Sequence, residues 1–573
     1  MGKIIKGMGK YGWLYALSVI FVGIQSVCEL ILPGKMQVII DEGITKGDNR
    51  VILKSGMEML LFSAVIAFSA VAASLFMSIS GSGFAKRMRR MVFVKVINAS
   101  NNQINQFGTS SLITRTTNDI TQLQQFIVMS RLAIFAPFMG LGSVIFAISE
   151  ARPLYWIILL AIILLLIAVI IFFRLVSPLF LSLQKKLDRI NLVLRESLTG
   201  VRVVRAFNRI DRDKLIFNNA NADLTKTSLK IARIMAVMMP LAMLTMNGIT
   251  VLVMWVSAGY IDTGTLNIGQ MSAFIQYIMH IMFSLMAIIN IFVFLPRAYV
   301  SIERIDEVLS SENEMKQTSA LQKEKAKTGL EFKNVTFSFK GAEKPVLKNI
   351  SFTAKPGTIT AILGSTGSGK STLIDLIPRF YDVDSGHILL NGVDISQMDI
   401  STLRRRIGLV PQQALLFTGT IAENIRYGKP DATDEEVREA ARIAMALDFI
   451  ESKPLKFDEP VSQGGTNLSG GQKQRISIAR AIVRRPDIYI FDDSFSALDY
   501  KTDAALRKNL VKEIKDAIVL IIAQRVSTVL NADQIIVLSE GEIAGIGTHS
   551  ELYSSCEVYR EIVLSQLSEE EIA

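Results

Sequence analysis

The chain has 573 residues, more than one ordinary domain. Half of them are hydrophobic and the mean hydropathy is +0.37, which points to membrane spans rather than to a larger soluble core. The net charge of +10 lies in one half: residues 1–310 hold 30 Lys/Arg against 16 Asp/Glu and the remainder 32 against 36, so it reads as membrane topology and not as nucleic-acid binding. Cys28 and Cys556 sit near opposite ends and fit neither a disulfide framework nor a zinc site.

Apolar stretches at about 11–33, 56–80, 130–149, 154–174, 234–258 and 271–295 each approach the roughly 20 residues that cross a bilayer core. Lys3, Lys6 and Lys10 precede the first, and without a small-residue cleavage site it reads as a retained helix. Six spans place both chain ends on one side, together with the basic connections 86–131 and 174–233. The positive-inside rule makes that side cytoplasmic, in a multi-pass protein of the plasma membrane. Patterns such as Leu181–Leu198 extend the helices beyond the bilayer. The fold expected is an all-α six-helix transmembrane domain over 1–315, a polar linker at 316–328, and an α/β nucleotide-binding domain over 329–573. In the last, β-rich runs (Val335–Phe339, Thr358–Leu363, Ile488–Phe491, Ile518–Ile522, Gln534–Leu538) alternate with helical segments.

The run Gly364-Ser365-Thr366-Gly367-Ser368-Gly369-Lys370-Ser371-Thr372 follows a strand and opens a helix. Its glycines let backbone N–H groups close on phosphate oxygens, Lys370 reaches terminal phosphates, and the Ser371 hydroxyl suits Mg²⁺. A second apolar strand ends in Asp492-Asp493, where a carboxylate can hold the magnesium shell.

Between these stand Gln412, in Val410-Pro411-Gln412, and Leu468-Ser469-Gly470-Gly471-Gln472; Ser496-Ala497-Leu498-Asp499 follows. In this order the motifs resemble the ATP-binding cassette transporters, and the six preceding spans resemble their exporter branch, so the likeness covers nearly the whole chain. It implies ATP and Mg²⁺ as cofactors, with Ser371, Gln412 and Asp492 at the metal and Phe339 stacked on adenine. It further implies two ATP-binding domains head to tail, so that Ser469, Gly470, Gly471, Gln472 and Asp499 serve the nucleotide of a partner chain.

The sequence departs from that family at two chemical positions. Asp493 stands where a longer Glu polarises the attacking water, and Gln524 where a His switch is usual. A carboxylate set back by about an ångström loses rate, and an amide carries no imidazole charge. The pair resembles the degenerate-site subunit of heterodimeric bacterial multidrug exporters, whose companion half-transporter keeps Glu and His. Gln463, where an acid is common, is a further departure.

Gly108–Arg115 and Phe207–Lys214 match the family's short coupling helices by position. Gln25, Glu29, Asn247, Gln276, His280 and Asn290 are expected to face a substrate cavity, Asp41 and Glu42 an outward gate, and the methionines of spans five and six suit an adaptable apolar surface. The substrate class expected is amphipathic or hydrophobic small molecules in a lipid bilayer. The alternatives are a peptide or lipid exporter and an ATP-gated regulatory protein that does not pump.

Overall fold

The computed structural model describes residues 8–311, 328–496, 498–513 and 516–566. The expected linker falls outside them except for Thr328. Two compact units emerge: Met1–Ile97 with Thr109–Ser311, and Asn98–Gly108 with Glu312–Ala573.

Helices account for the first unit: α1 (Gly9–Ile44), α2 (Asn49–Ile97), α4 (Thr109–Glu150), α5 (Arg152–Thr199), α6 (Val201–Ala206), α7 (Ile210–Asp262) and α8 (Ile268–Ser310). Six of these are long and apolar enough to cross a membrane, the sixth through Ile268–Ile288. Exposure on α5 shows the solvent they are built for. Ile163, Leu166, Ile167, Ile170, Ile171 and Phe173 all face outward, an apolar surface that lipid accepts and water does not.

Small residues let the helices approach. A Cβ on Gly142 would meet a Leu30 methyl at 2.2 Å, and one on Gly140 would meet Ser284 Oγ at 2.4 Å. Such close passages are how helices associate where the hydrophobic effect offers no drive. Tyr277 donates its hydroxyl to the Leu30 carbonyl at 3.0 Å, and Ser284 donates to the Ala136 carbonyl at 2.5 Å. At the other end of α4, Arg115 reaches Glu307 at 2.7 Å and Ser301 donates to the buried Asp119 at 3.1 Å. These contacts join α1, α4 and α8, while α5 and α7 pack chiefly along each other.

The second unit includes a short helix from the membrane half of the sequence, α3 (Asn101–Phe107). Ser100 accepts from the Gln103 N–H at 3.3 Å and Gln103 returns a bond to the Ser100 N–H at 3.0 Å, a reciprocal cap that starts the helix. Gly108, at φ +74°, ends it. This corrects the expectation for Gly108–Arg115: Thr109–Arg115 is the base of the long helix α4, and the separate short helix lies one segment earlier. The expectation for Phe207–Lys214 is corrected in the same way. The short helix there is α6, Phe207 is exposed in a turn with Asn208 at φ +49°, and Ile210 already begins α7.

The rest of that unit is built on β1 (Leu330–Phe337), β2 (Leu347–Ala354), β3 (Ile359–Gly364), α9 (Lys370–Leu376), β4 (Ser385–Leu390), β5 (Ile407–Val410), α10 (Asp434–Ile443), α11 (Gly470–Val483), β6 (Ile488–Asp492), α12 (Tyr500–Glu513), β7 (Ile518–Ile522), β8 (Gln534–Ser539) and β9 (Glu542–Gly547). The six-stranded sheet runs β9-β8-β3-β7-β6-β5, parallel except for its β9 edge. Its central strands are buried on both faces; β7 is Ile-Val-Leu-Ile-Ile with every residue buried, as a parallel sheet covered by helices requires. In a separate antiparallel sheet, β1 runs between β2 and β4. Strand β1 stops at Phe337, so Phe339 lies just beyond it.

Candidate nucleotide-binding site

The C-terminal ends of β3, β6 and β7 meet at one edge of the sheet, where ligands bind in open α/β folds. The loop from Gly364 to Gly369 leaves β3 and delivers Lys370 to the start of α9. Gly367 and Gly369 have φ of +86° and +97°, and a Cβ on Gly364 would lie 2.3 Å from the Leu538 carbonyl oxygen, so side chains are excluded there. Lys370 folds back over the loop and donates to the Gly364 and Ser365 carbonyls at 2.8 and 2.7 Å. Burial lowers its pKa, against the opposing pull of Asp493 and Asp492.

Opposite stands the acidic end of β6. Ser371 donates to Asp492 Oδ1 at 3.5 Å, and Gln412 donates to Asp493 Oδ2 at 3.2 Å. Burial, and then Asp493, push Asp492 above the usual carboxylate range. A cavity of about 300 Å³ is lined by Thr366, Gly367, Gly369, Lys370, Ser371, Thr372, Gln412, Asp492, Asp493 and Gln524, with Val346 and Ile522 as its apolar wall. The structure thus gathers the phosphate-loop residues, the acidic pair, Gln412 and Gln524 in one place. Mg²⁺ fits the donor set: a hydroxyl, a carboxylate and an amide oxygen are hard ligands, and this ion commonly takes one or two carboxylates and completes its shell with phosphate and water.

Other expected residues stand apart from this cavity. Phe339 packs edge-on against Phe337 and Tyr381 at centroid distances of 5.1 and 5.4 Å. Asp499 is exposed and accepts from the Thr502 N–H at 3.0 Å at the start of α12. Ser469 caps α11, its Oγ accepting from the Gln472 N–H at 3.3 Å while Gln472 accepts from the Ser469 N–H at 3.0 Å. That bond uses an oxygen lone pair, so the Ser469 hydroxyl proton is left to donate. Ser469 and Gly470 are exposed, and a Cβ on Gly470 would meet nothing within 4 Å.

Among the expected cavity residues, Gln25 accepts from Arg131 at 3.1 Å and Glu29 has a buried, unpartnered Oε2. Asp41 accepts from the Gly269 N–H at 2.7 Å and so caps the start of α8. Glu42 and Asn247 are exposed, Gln276 is half-buried, and His280 has a buried, unpartnered Nδ1. The side chain of Asn290 lies outside the described ones.

Three residues escaped the sequence reading. Arg131 is the first. Asp375, on α9, is raised to about 6 by burial and by Asp492. The Tyr381 phenol is hydrogen bonded by Asn101 and Asn105 of α3, while burial, and then Asp375, raise its pKa. The Asp375 value carries a prediction. Its folded pKa exceeds the unfolded value of about 4, so its contribution to stability is full below that value and is lost as pH rises through about 6. Asp375→Asn is expected to stabilise the nucleotide-free protein at pH 7.5 by about 1–2 kcal/mol, discounted for its solvent-facing part. The gain should vanish near pH 4. Thermal melts of the full-length protein in chelator at the two pH values check both points.

Phosphate loop, acid-ended strand and a bundle of six spans in one chain define a membrane-bound ATPase that drives transport. Residues 15–286 match the family described as ABC transporter transmembrane region, and residues 347–496 the family described as ABC transporter. An uncharacterized ABC transporter ATP-binding protein of Mycobacterium tuberculosis is 39% identical over 97% of this chain and 96% of its own length. The uncharacterized ABC transporter ATP-binding protein YfiB of Bacillus subtilis is 36% identical over 100% and 99%. YgaD of Bacillus subtilis, provisionally named a multidrug export ATP-binding/permease protein, is 32% identical over 80% and 79%. The chain belongs to the ABC transporter family, with exporter-type membrane and ATP-binding domains fused; it binds ATP and couples hydrolysis to transport.

Proposed function

We propose that this chain is the degenerate-site half of a heterodimeric exporter of amphipathic or hydrophobic small molecules. The observation that carries the reading is the cavity beside the phosphate loop, whose wall includes both Asp493 and Gln524. Gln412 holds the Asp493 carboxylate. The shorter acid and the uncharged amide together favour retention of ATP over its hydrolysis.

The signature at Ser469–Gly471, exposed at Ser469 and Gly470, supports the complementary role. A serine hydroxyl and free amides at the N-terminus of the 14-residue α11 suit the γ-phosphate of a second subunit's nucleotide. In this reading Ser371, Gln412 and Asp492 hold Mg²⁺, which supplies charge neutralisation of the phosphates when bound. Lys370 binds and orients the nucleotide. The companion half-transporter, with Glu and His at the two departed positions, performs most turnover. The basic connections of the membrane half support a cytoplasmic N-terminus and ATP-binding domain in the plasma membrane. YgaD's name supports the multidrug substrate class.

Helix α3 is the proposed transmitter, since it lies in sequence between two spans yet bonds Tyr381 of the ATP-binding unit. Ile104→Pro removes the Ile104 N–H bond to the Ser100 carbonyl, 3.0 Å long, and costs a helix interior about 3 kcal/mol. The experiment is ATP-dependent dye movement in sealed inside-out vesicles holding both subunits. Wild type is expected to accumulate dye only while hydrolysing ATP, and the variant to keep most ATPase activity while losing most transport. Dye flux down its gradient without hydrolysis would instead identify a gated channel.

A further inference from the structure

Among the described residues of the membrane unit, Asp119 of α4 is the one buried carboxylate, 5% exposed. Its Oδ1 accepts from the hydroxyl of Ser301 on α8, itself buried, at 3.1 Å. Its Oδ2 is buried as well and has no hydrogen-bond partner. The exposed guanidinium of Arg304, one turn along α8, stands with Nη1 3.9 Å from Oδ1, too far for a hydrogen bond. Carboxylate and guanidinium meet best in a planar two-point bond. A buried carboxylate oxygen without a partner is costly, so Asp119 is held one short step away from its strongest partner.

The local helix is built to give. Arg115–Asp119 is a wide, π-helical turn within α4, a form that recurs where helices do work. Thr116 and Thr117 turn their hydroxyls back to the Leu112 and Ile113 carbonyls at 2.7 and 2.8 Å, bonds that loosen and bend a helix. At the far end of the turn, Arg115 donates to the Arg304 carbonyl at 2.8 Å and to the Glu307 carboxylate at 2.7 Å. Both ends of one adjustable turn therefore grip the same stretch of α8, residues 301–307. Its place in the chain matters. Helix α4 starts directly after Gly108, which ends α3, and α8 ends at Ser310, just before the chain continues into the second unit. The turn thus ties together two of the three places where the membrane unit is joined in sequence to the other.

We propose that Asp119 is a positioning residue that clasps α8 to α4 in two alternative positions. In the one described it holds Ser301. In the second, which belongs to the ATP-bound transporter, the turn shifts and Arg304 takes both oxygens of Asp119. The base of α4 and the end of α8 then move as one lever instead of separately. The purpose of the clasp rests on the reading of α3 as transmitter; its two positions do not.

The test uses the purified complex of this chain with its companion. Asp119→Asn keeps an oxygen for Ser301 but has no charge to offer Arg304. It is expected to retain most ATPase activity while the dye moved per ATP falls about fivefold or more. Arg304→Gln should do the same, Arg304→Lys should keep part of the coupling, and the double change should be no worse than either alone. Thermal melts separate a clasp from a merely structural tie. Without nucleotide, Asp119→Asn should melt close to wild type, but the rise in melting temperature given by a non-hydrolysable ATP analogue should shrink. Ser301→Ala, which weakens only the first position, should keep that rise. Coupling and analogue-induced rise both unchanged in Asp119→Asn would overturn the proposal. So would an equal loss of melting temperature with and without the analogue, or additive damage in the double variant. If Ile104→Pro leaves transport intact the transmitter reading falls, whereas a shrunken rise in Asp119→Asn still upholds the two positions.

Discussion

Ser469→Arg, or Gly471→Asp, is expected to cut ATP turnover of the proposed heterodimer by about 10²–10³, the scale of losing one donor to transition-state charge. Neither residue lines this chain's own phosphate cavity. Asp493→Asn, which does alter that cavity, should remove only a small part of the rate. The contrast follows from where each group stands: Ser469 and Gly470 are exposed at the start of α11, with open space beside Gly470. An aspartate at 471 would bring a negative charge to the helix start proposed to receive a phosphate, and an arginine at 469 would also remove the cap from α11. The comparison is steady-state ATPase of the purified heterodimer carrying each change alone. Equal damage from Asp493→Asn would show that this chain's own site is catalytically competent, and the division of labour would fall.

The second large effect is at Lys370. Its ammonium is bonded to the Gly364 and Ser365 carbonyls, in a position where burial opposes its charge. Terminal phosphate oxygens are stronger partners than these carbonyls, because bonds between charged groups are about twice as strong as neutral ones. Lys370→Ala should therefore weaken nucleotide retention at this chain's site by about 10–100-fold, from a hydrogen bond to a charged group worth about 1.5–3 kcal/mol. The companion's site should remain assembled, since the signature at Ser469 is untouched. Retention of a trapped, labelled nucleotide on each subunit separates the two, and unchanged retention here would remove Lys370 from the binding role.

The phosphate loop could be read from sequence because its chemistry is local. Glycine spacing, the lysine and the flanking strand all fall within about fifteen residues of one another. The six apolar helices could be read because lipid demands long uninterrupted hydrophobic runs. What escaped was set by tertiary approach. Asp375 sits among the apolar residues of α9 and acquires its raised pKa from burial in the folded unit, and then from Asp492, which β6 brings near. Arg131 was counted as a topology signal at the edge of a span, whereas it reaches across to Gln25 on another helix. Helix α3 is a different case. Ser100 and Gln103 form a serine-to-glutamine capping pattern that is visible in sequence, and Gly108 supplies the stop. Reading those two signals would have placed the short helix at Asn101–Phe107 and left Thr109–Arg115 to α4.

The sharing of α3 with the second unit also bears on how the polypeptide is made. Asn101 leaves the ribosome about 280 residues before Tyr381, an interval of tens of seconds at roughly 5–20 residues per second. During that time the first three spans can enter the membrane while the surface that receives α3 does not yet exist. The nascent chain thus carries α3 before its partner exists, and the bonds of Asn101 and Asn105 to Tyr381 can form only once about two thirds of the chain has been made.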